Sequence, residues 1–261
     1  LAAEGMATLA IYLVEHGEGP SRDTAFIDLA DSGITAANFL QSAADLAGLL
    51  RVVDESLREL DVAPAGAADG LADLDCDRVA YVGSSAGAMV GSLLLSRRPP
   101  LDAAVLTVGG GGFHHFLNFY FEGILDAVEL CAFRCLGQAL MDRADPANHA
   151  RALSASHWPD LPILAQQVVD DAVMPAAATA ALMRELEMPL LEPVLLPVGG
   201  LEILSAPVQG RGLSQFSPAR HGFLLAEDSN PESSAAARSQ IVNFLKSCWQ
   251  AADGQGTIDL P

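Results

Sequence analysis

Gly83-Ser84-Ser85-Ala86-Gly87 sets Ser85 between two glycines in the spacing G-x-S-x-G. The residues before it, Arg78 to Val82, read as a strand, and those from Ser85 to Leu95 as a helix. A serine on a sharp strand-to-helix turn holds its hydroxyl clear of the backbone at the carboxyl edge of a sheet, where it can attack a carbonyl. Such a turn is strained, so a side chain two residues to either side is expected to collide with it. The same turn aims the backbone N–H of Ala86, near the helix N-terminus, at a developing oxyanion. The other use of these glycines is close packing of a strand on a helix, with no chemistry.

A serine hydroxyl is a poor nucleophile until a base takes its proton and an acid orients that base. On a sheet of this kind the chain order is serine, acid, histidine. Pro162 to Val169 leads, as a strand, into Asp170-Asp171-Ala-Val-Met-Pro175. Asp171, opening D-x-V-x-P, is the stronger candidate acid; Asp170 could serve instead, or the pair could cap the next helix. Of six histidines, only His221 lies downstream, in the loop Ser217-Pro-Ala-Arg-His-Gly-Phe-Leu-Leu225. His114 and His115 would line the cleft or cap a helix, and His16 would sit at a surface turn.

The elements that must position these groups alternate. Leu1 to Gly5 reads as a helix end stopped by glycine, and Ala7 to Val14 as a buried strand. Apolar residues at helical spacing from Thr35 to Leu60, among them Phe39, Leu46, Leu50 and Leu57, predict a long amphipathic helix. A loop follows over Ala63 to Asp75. Leu101 to Val108 predicts a strand closed by Gly109-Gly-Gly-Gly112, and Phe113 to Leu153 a mostly helical, apolar stretch. Further strands are expected at Ile163–Val169 and Leu190–Val198, helices at Ala176–Leu186 and Ser234–Trp249, and a tail from Asp253. Strands alternating with helices imply an α/β fold, a mainly parallel sheet covered on both faces.

The chain has 261 residues, of which 51% are hydrophobic and 18% charged, enough for one sizeable core. Its net charge of −19 argues against nucleic acid as a partner, since phosphate binding needs clustered Lys and Arg. Lys246 is the only lysine, a pattern that fits either a saline habitat or a GC-rich genome. No apolar run is long enough for a transmembrane segment. The cysteines Cys76, Cys131, Cys135 and Cys248 form no C-x-x-C and have no zinc spacing with histidine, so no metal is expected. Cys131 and Cys135 share a helix face and read as small buried apolar residues.

Four segments together resemble the α/β-hydrolase superfamily of serine esterases and lipases: Gly5 to Gly17 with its H-G turn, the GSSAG turn, the Asp171 segment and His221-Gly-Phe-Leu-Leu225. Asn38 to Leu46, VAYVGSSAGAMVG and LTVGGGG look more loosely like bacterial extracellular lipases of the virulence-factor type. Prolyl-oligopeptidase-type peptidases share the late Asp and His patterns. The resemblance implies a single α/β-hydrolase domain over 1–261 and hydrolysis of a small-molecule or lipid ester by Ser85, Asp171 and His221. It also implies Ala86 as oxyanion donor, no cofactor, and a secreted or cell-envelope location. These families usually begin with a strand whose H-G or G-G-G loop supplies the other oxyanion donor. No convincing strand falls between Gly17 and Arg78, so that donor is expected upstream, with the first strands of the sheet. Ser84 stands where many relatives carry histidine or another polar residue. Residues 113–158 follow a strand at the active edge, where such folds insert a cap. Phe113, His114 and Phe116 would then line an acyl pocket, or the segment is a core helix. A peptidase or amidase, and a non-catalytic binding module, are the other readings.

Overall fold

Strands joined through helices must run in one direction, so an alternating sequence builds a parallel sheet. The computed structural model describes residues 1–17, 26–28, 31–62, 66, 68–225 and 230–260. Helix α1 (Ser32–Val52) precedes strand β1 (Ala80–Ser84), helix α2 (Ala86–Leu95) and strand β2 (Ala103–Thr107). Helices α3 (Phe113–Phe121), α4 (Ala127–Met141) and α5 (Pro146–Ala150) follow. Strand β3 (Ile163–Val168), helix α6 (Ala176–Glu185), and short strands β4 (Leu190–Leu191), β5 (Ile203–Leu204) and β6 (Val208–Gln209) come next. Strand β7 (Arg211–Phe216), helix α7 (Pro231–Gln250) and strand β8 (Thr257–Ile258) complete the order. Among the described residues six strands form one sheet in the order β1-β2-β3-β7-β4-β5, every pairing parallel.

The two-residue period of a strand divides the core between the sheet's faces. On one face Ala104 and Leu106 of β2 pack with Leu95 of α2 and Leu182 of α6. On the other, Ala103 and Val105 pack with Ile241, Phe244 and Leu245 of α7. Helix α1, capped by the Asp31 side chain, lies outside α2, with Phe39 packed among Met89, Val90 and Phe113. Its predicted extent to Leu60 is met by a wider helical turn over Val53–Leu57. Leu1 to Gly5 forms a single 3₁₀ turn over Ala2–Glu4, with Gly5 left-handed at φ 78°.

Several expectations are corrected. Ala7–Val14 is not a buried strand: it pairs only through a bridge between Leu13 and His16, and Leu9 and Tyr12 are half exposed or more. An apolar run makes a strand only if a neighbouring strand takes its backbone groups, and none does among the described residues. Leu190–Val198 pairs only at Leu190–Leu191, because Pro193 and Pro197 cannot donate to a ladder. The expected tail from Asp253 instead contains β8, antiparallel to β6, with Ile258 fully buried. Cys131 and Cys135 are exposed, not buried.

Strand β7 was not legible. Every residue in it is buried, yet half are polar. The Arg211 guanidinium donates to the carbonyls of Leu153 and Trp158. Ser214 accepts from Gln240 at 2.8 Å, and Gln215 donates to Gln167 at 2.9 Å. Arg211 Nε alone among these groups is buried without a partner; the other bonds offset most of the cost of burying polar side chains, and the strand loses its hydrophobic signature.

The predicted helical stretch over 113–153 is hinged on one carboxylate. Asp145 is fully buried and accepts from Gly112 N (2.7 Å), Phe113 N (2.6 Å), Gln138 Nε2 (2.8 Å) and Ala147 N (2.9 Å). Its charge sits at the N-termini of both α3 and α5, where helix dipoles favour an anion. Asp145→Ala leaves those buried donors without a partner, and urea unfolding at neutral pH should show a loss of about 3–5 kcal/mol.

Candidate active site

Parallel strands place their carboxyl ends on one edge, and three strand ends there carry the candidate triad. Ser85 follows β1, Asp171 lies just beyond β3, and His221 is in the loop after β7. Each of three strands on that edge turns through a non-glycine residue with positive φ: Ser85 (54°), Val108 (47°) and Asp170 (59°). Such backbones cost energy and persist only where surrounding packing dictates them.

At Ser85 the packing is specific. The residue has φ 54° and ψ −119° and stands at the N-cap of α2 without capping it. Its N–H donates to Thr107 O on β2 at 2.9 Å. A Cβ on Gly83 would lie 2.6 Å from Gly87 O and 2.7 Å from Tyr81 Cε1, so that glycine is required. The expected collision at the second glycine is absent, since a Cβ on Gly87 would meet only Tyr81 Oη, at 3.9 Å.

The three side chains meet in a line. His221 Nε2 is 2.6 Å from Ser85 Oγ, and His221 Nδ1 is 2.8 Å from Asp171 Oδ2. With Nδ1 carrying the proton, the ring donates to Asp171 and accepts from the serine hydroxyl. Asp171 is nearly buried, and its other oxygen accepts from Val173 N at 2.8 Å and Met174 N at 3.0 Å. Burial pushes its carboxyl up, but the bonds from His221, Met174 N and Val173 N together outweigh it and hold the group below its ordinary 3.8. Asp170, the neighbour, provides the turn after β3. The histidine loop rests on Phe223, fully buried among Val108, Val168, Phe216 and Ala237. Two consecutive hydroxyls of α7 tether it: Ser233 donates to Pro218 O at 2.6 Å and Ser234 to Phe223 O.

Ala86 heads α2, and the first N–H groups of a helix have no intrahelical acceptor. Phe113 is buried in the cluster beneath α1, and Phe116 packs against the same cluster. His114 faces Gln138, with Nδ1 3.0 Å from its Oε1, and lines a cavity of about 370 Å³ with Asp142, Asn148 and Arg184. Sequence reasoning missed Tyr120, one turn beyond Phe116, whose hydroxyl donates to Val173 O at 2.7 Å and so ties α3 to the acid turn. The spacing of Phe116 and Tyr120 on one helix face was the available signal. Among the described residues no cluster of three or more His, Cys, Asp or Glu side chains could hold a metal, and no helix is long and apolar enough to cross a membrane.

No family model matches this chain, and no curated protein matches it. Among solved structures, an esterase from the fungus Rhizomucor miehei is 15% identical with a TM-score of 0.50, covering 87% of this chain and 70% of that one. Puromycin hydrolase is 16% identical with a TM-score of 0.48, over 80% of this chain and 25% of its own length. An acylaminoacyl peptidase from Pyrococcus horikoshii is 14% identical with a TM-score of 0.48, over 80% and 27%. The chain thus spans about a quarter of the length of these last two proteins. The parallel sheet and the likeness to the fungal esterase define an α/β-hydrolase fold.

Two outcomes follow from the geometry. Gly83→Ala should lose at least about 2 kcal/mol in denaturant unfolding, from overpacking at the turn. Gly87→Ala should change stability by no more than about 1 kcal/mol. Because the folded carboxyl of Asp171 titrates below 3.8, its ionisation stabilises the fold above that value, and the benefit disappears as pH falls through the folded pKa. Thermal unfolding from about pH 6 to about pH 2 should therefore show Asp171→Asn losing less stability on acidification than the unaltered protein.

Proposed function

We propose that this chain is a serine hydrolase that cleaves carboxylic esters of short to medium acyl length through an acyl-enzyme. The observation that carries this reading is the continuous line from Ser85 Oγ through the His221 ring to the buried Asp171 carboxylate, at 2.6 Å and 2.8 Å. Ser85 attacks the ester carbonyl as His221 Nε2 takes its proton. His221 returns that proton to the leaving alcohol. Water, deprotonated by the same nitrogen, then releases the acid and frees Ser85. Asp171 keeps the imidazole in the required tautomer and stabilises its positive charge. The Ala86 N–H donates to the oxyanion, a contribution of about 10²–10³ in rate for one such donor.

The acyl group would lie under residues 113–158, read as a cap, with Phe113, His114 and Phe116 as the first candidates for its walls. The exposed rings of Phe119 and Tyr120 and the exposed Val173 side chain add an apolar rim beside the acid turn. The net charge of −19 disfavours anionic polymers as substrates. A peptidase or amidase would use the same three side chains.

Labelling with a fluorophosphonate probe, with turnover of p-nitrophenyl esters from acetate to palmitate and of matching anilides, tests the reading. Labelling should vanish in Ser85→Ala, and ester turnover should fall by at least about 10³-fold in Ser85→Ala and in His221→Ala. Faster anilide than ester turnover would favour the peptidase reading. A folded protein that neither labels nor turns over any ester would overturn the hydrolase reading.

A further inference from the structure

Helix α2 lacks the usual fixative of a helix start. The N-cap position is Ser85, and its hydroxyl, the natural acceptor for the N–H groups one turn on, is committed to His221 instead. Yet this first turn must be the most rigid part of the site, since it fixes both the nucleophile and the Ala86 N–H.

A side chain from the strand below anchors this turn in another way, through a carbonyl rather than through its N–H groups. Tyr81 lies four residues before Ser85 on β1. Its hydroxyl donates to Gly87 O, in the first turn of α2, at 2.6 Å. Its ring occupies the space left by two glycines: a Cβ on Gly83 or on Gly91 would run into it. Gly83 is thus needed by the serine turn and by the tyrosine at once, whereas Gly91, a full turn into the helix, is needed only by the ring. Burial pushes the Tyr81 phenol well above its ordinary pKa, so it remains a donor at any working pH.

We propose that Tyr81 is the positioning residue of the serine turn. Its hydroxyl leaves the free N–H groups of the first turn uncapped but ties that turn to β1 by holding the Gly87 carbonyl, and so sets the direction of Ser85 Oγ and of the Ala86 N–H. The proposal rests on the hydrolase reading and adds to it a residue that touches no substrate. Tyr81 acts on the transition state, because the oxyanion donor and the attacking oxygen are what it orients. It does not act on the His221–Asp171 pair, which belongs to other strand ends.

The test compares Tyr81→Phe, which keeps the ring and removes the bond, with Gly91→Ala, which keeps the phenol and displaces the ring. Both should lower kcat and the rate of fluorophosphonate labelling by about 10- to 100-fold, the scale of a small misplacement of reacting groups. KM for a p-nitrophenyl ester should stay within about twofold, and the midpoint of the kcat/KM pH profile should not move. Amide exchange over residues 84–91, read by mass spectrometry, should speed up in both variants while the rest of the fold is unchanged. Rates within about twofold of the unaltered protein, or a loss accompanied by a shifted pH midpoint, would overturn the proposal. If the unaltered protein and Ser85→Ala are equally inert to the probe, the hydrolase reading fails and the kinetic role with it. Unchanged exchange over 84–91 in Tyr81→Phe refutes the tether whether or not the protein is active.

Discussion

The left-handed backbone of Ser85, φ 54°, is the constraint around which the rest of the molecule is arranged. A residue with a side chain does not adopt that conformation for its own sake. It is imposed by a strand bonded to β2 up to the turn, by a helix that must start at once, and by a glycine at 83 that lets the two approach. The result lifts the serine hydroxyl out of the sheet edge toward His221. Close packing around Gly83 and Gly91 makes the turn one solid unit with the Tyr81 ring.

The other two side chains reach that hydroxyl because the sheet is parallel. Ser85 and Asp171 are 86 positions apart in sequence and His221 lies 50 beyond Asp171, yet parallel register brings the ends of β1, β3 and β7 to one edge. Strain is shared along it, with Val108 and Asp170 also at positive φ. Each loop is then locked from a different direction. The acid turn is held by the N–H groups of Val173 and Met174 and by Tyr120 above it. The histidine loop is held by Phe223 below and by Ser233 and Ser234 of α7.

Buried polar groups give this molecule much of its specificity of shape. Asp145 joins the start of α3, the start of α5 and the side of α4 through one carboxylate. Gln166 bonds both Thr107 of the neighbouring strand and the α7 residues Ala237 and Gln240. Apolar surfaces slide past one another at little cost, whereas a carboxylate with four donors fits one arrangement only.

Local signals made part of this protein readable from its residues alone. The G-x-S-x-G turn, the Asp pair closing a strand and the single late histidine are short-range patterns, and the elements bearing them, β1, α2, β3, α6 and α7, fall within a few residues of where periodicity put them. Their order along the chain pointed to one edge of a parallel sheet. What needed a partner far away was not readable. Ala7–Val14 is apolar enough for a strand but finds no neighbouring strand among the described residues, and Arg211–Phe216 is too polar to look like one yet is buried in the middle of the sheet. The distal roles of Tyr81, Asp145 and Ser234 are equally silent in sequence, because a hydrogen bond between residues remote in the chain leaves no period or motif, and for Tyr120 the spacing gave the helix face but not the partner. Residue types and short spacings determined which groups could react. Only the packed tertiary structure, which decides which backbone and side-chain groups find partners, decided that they touch.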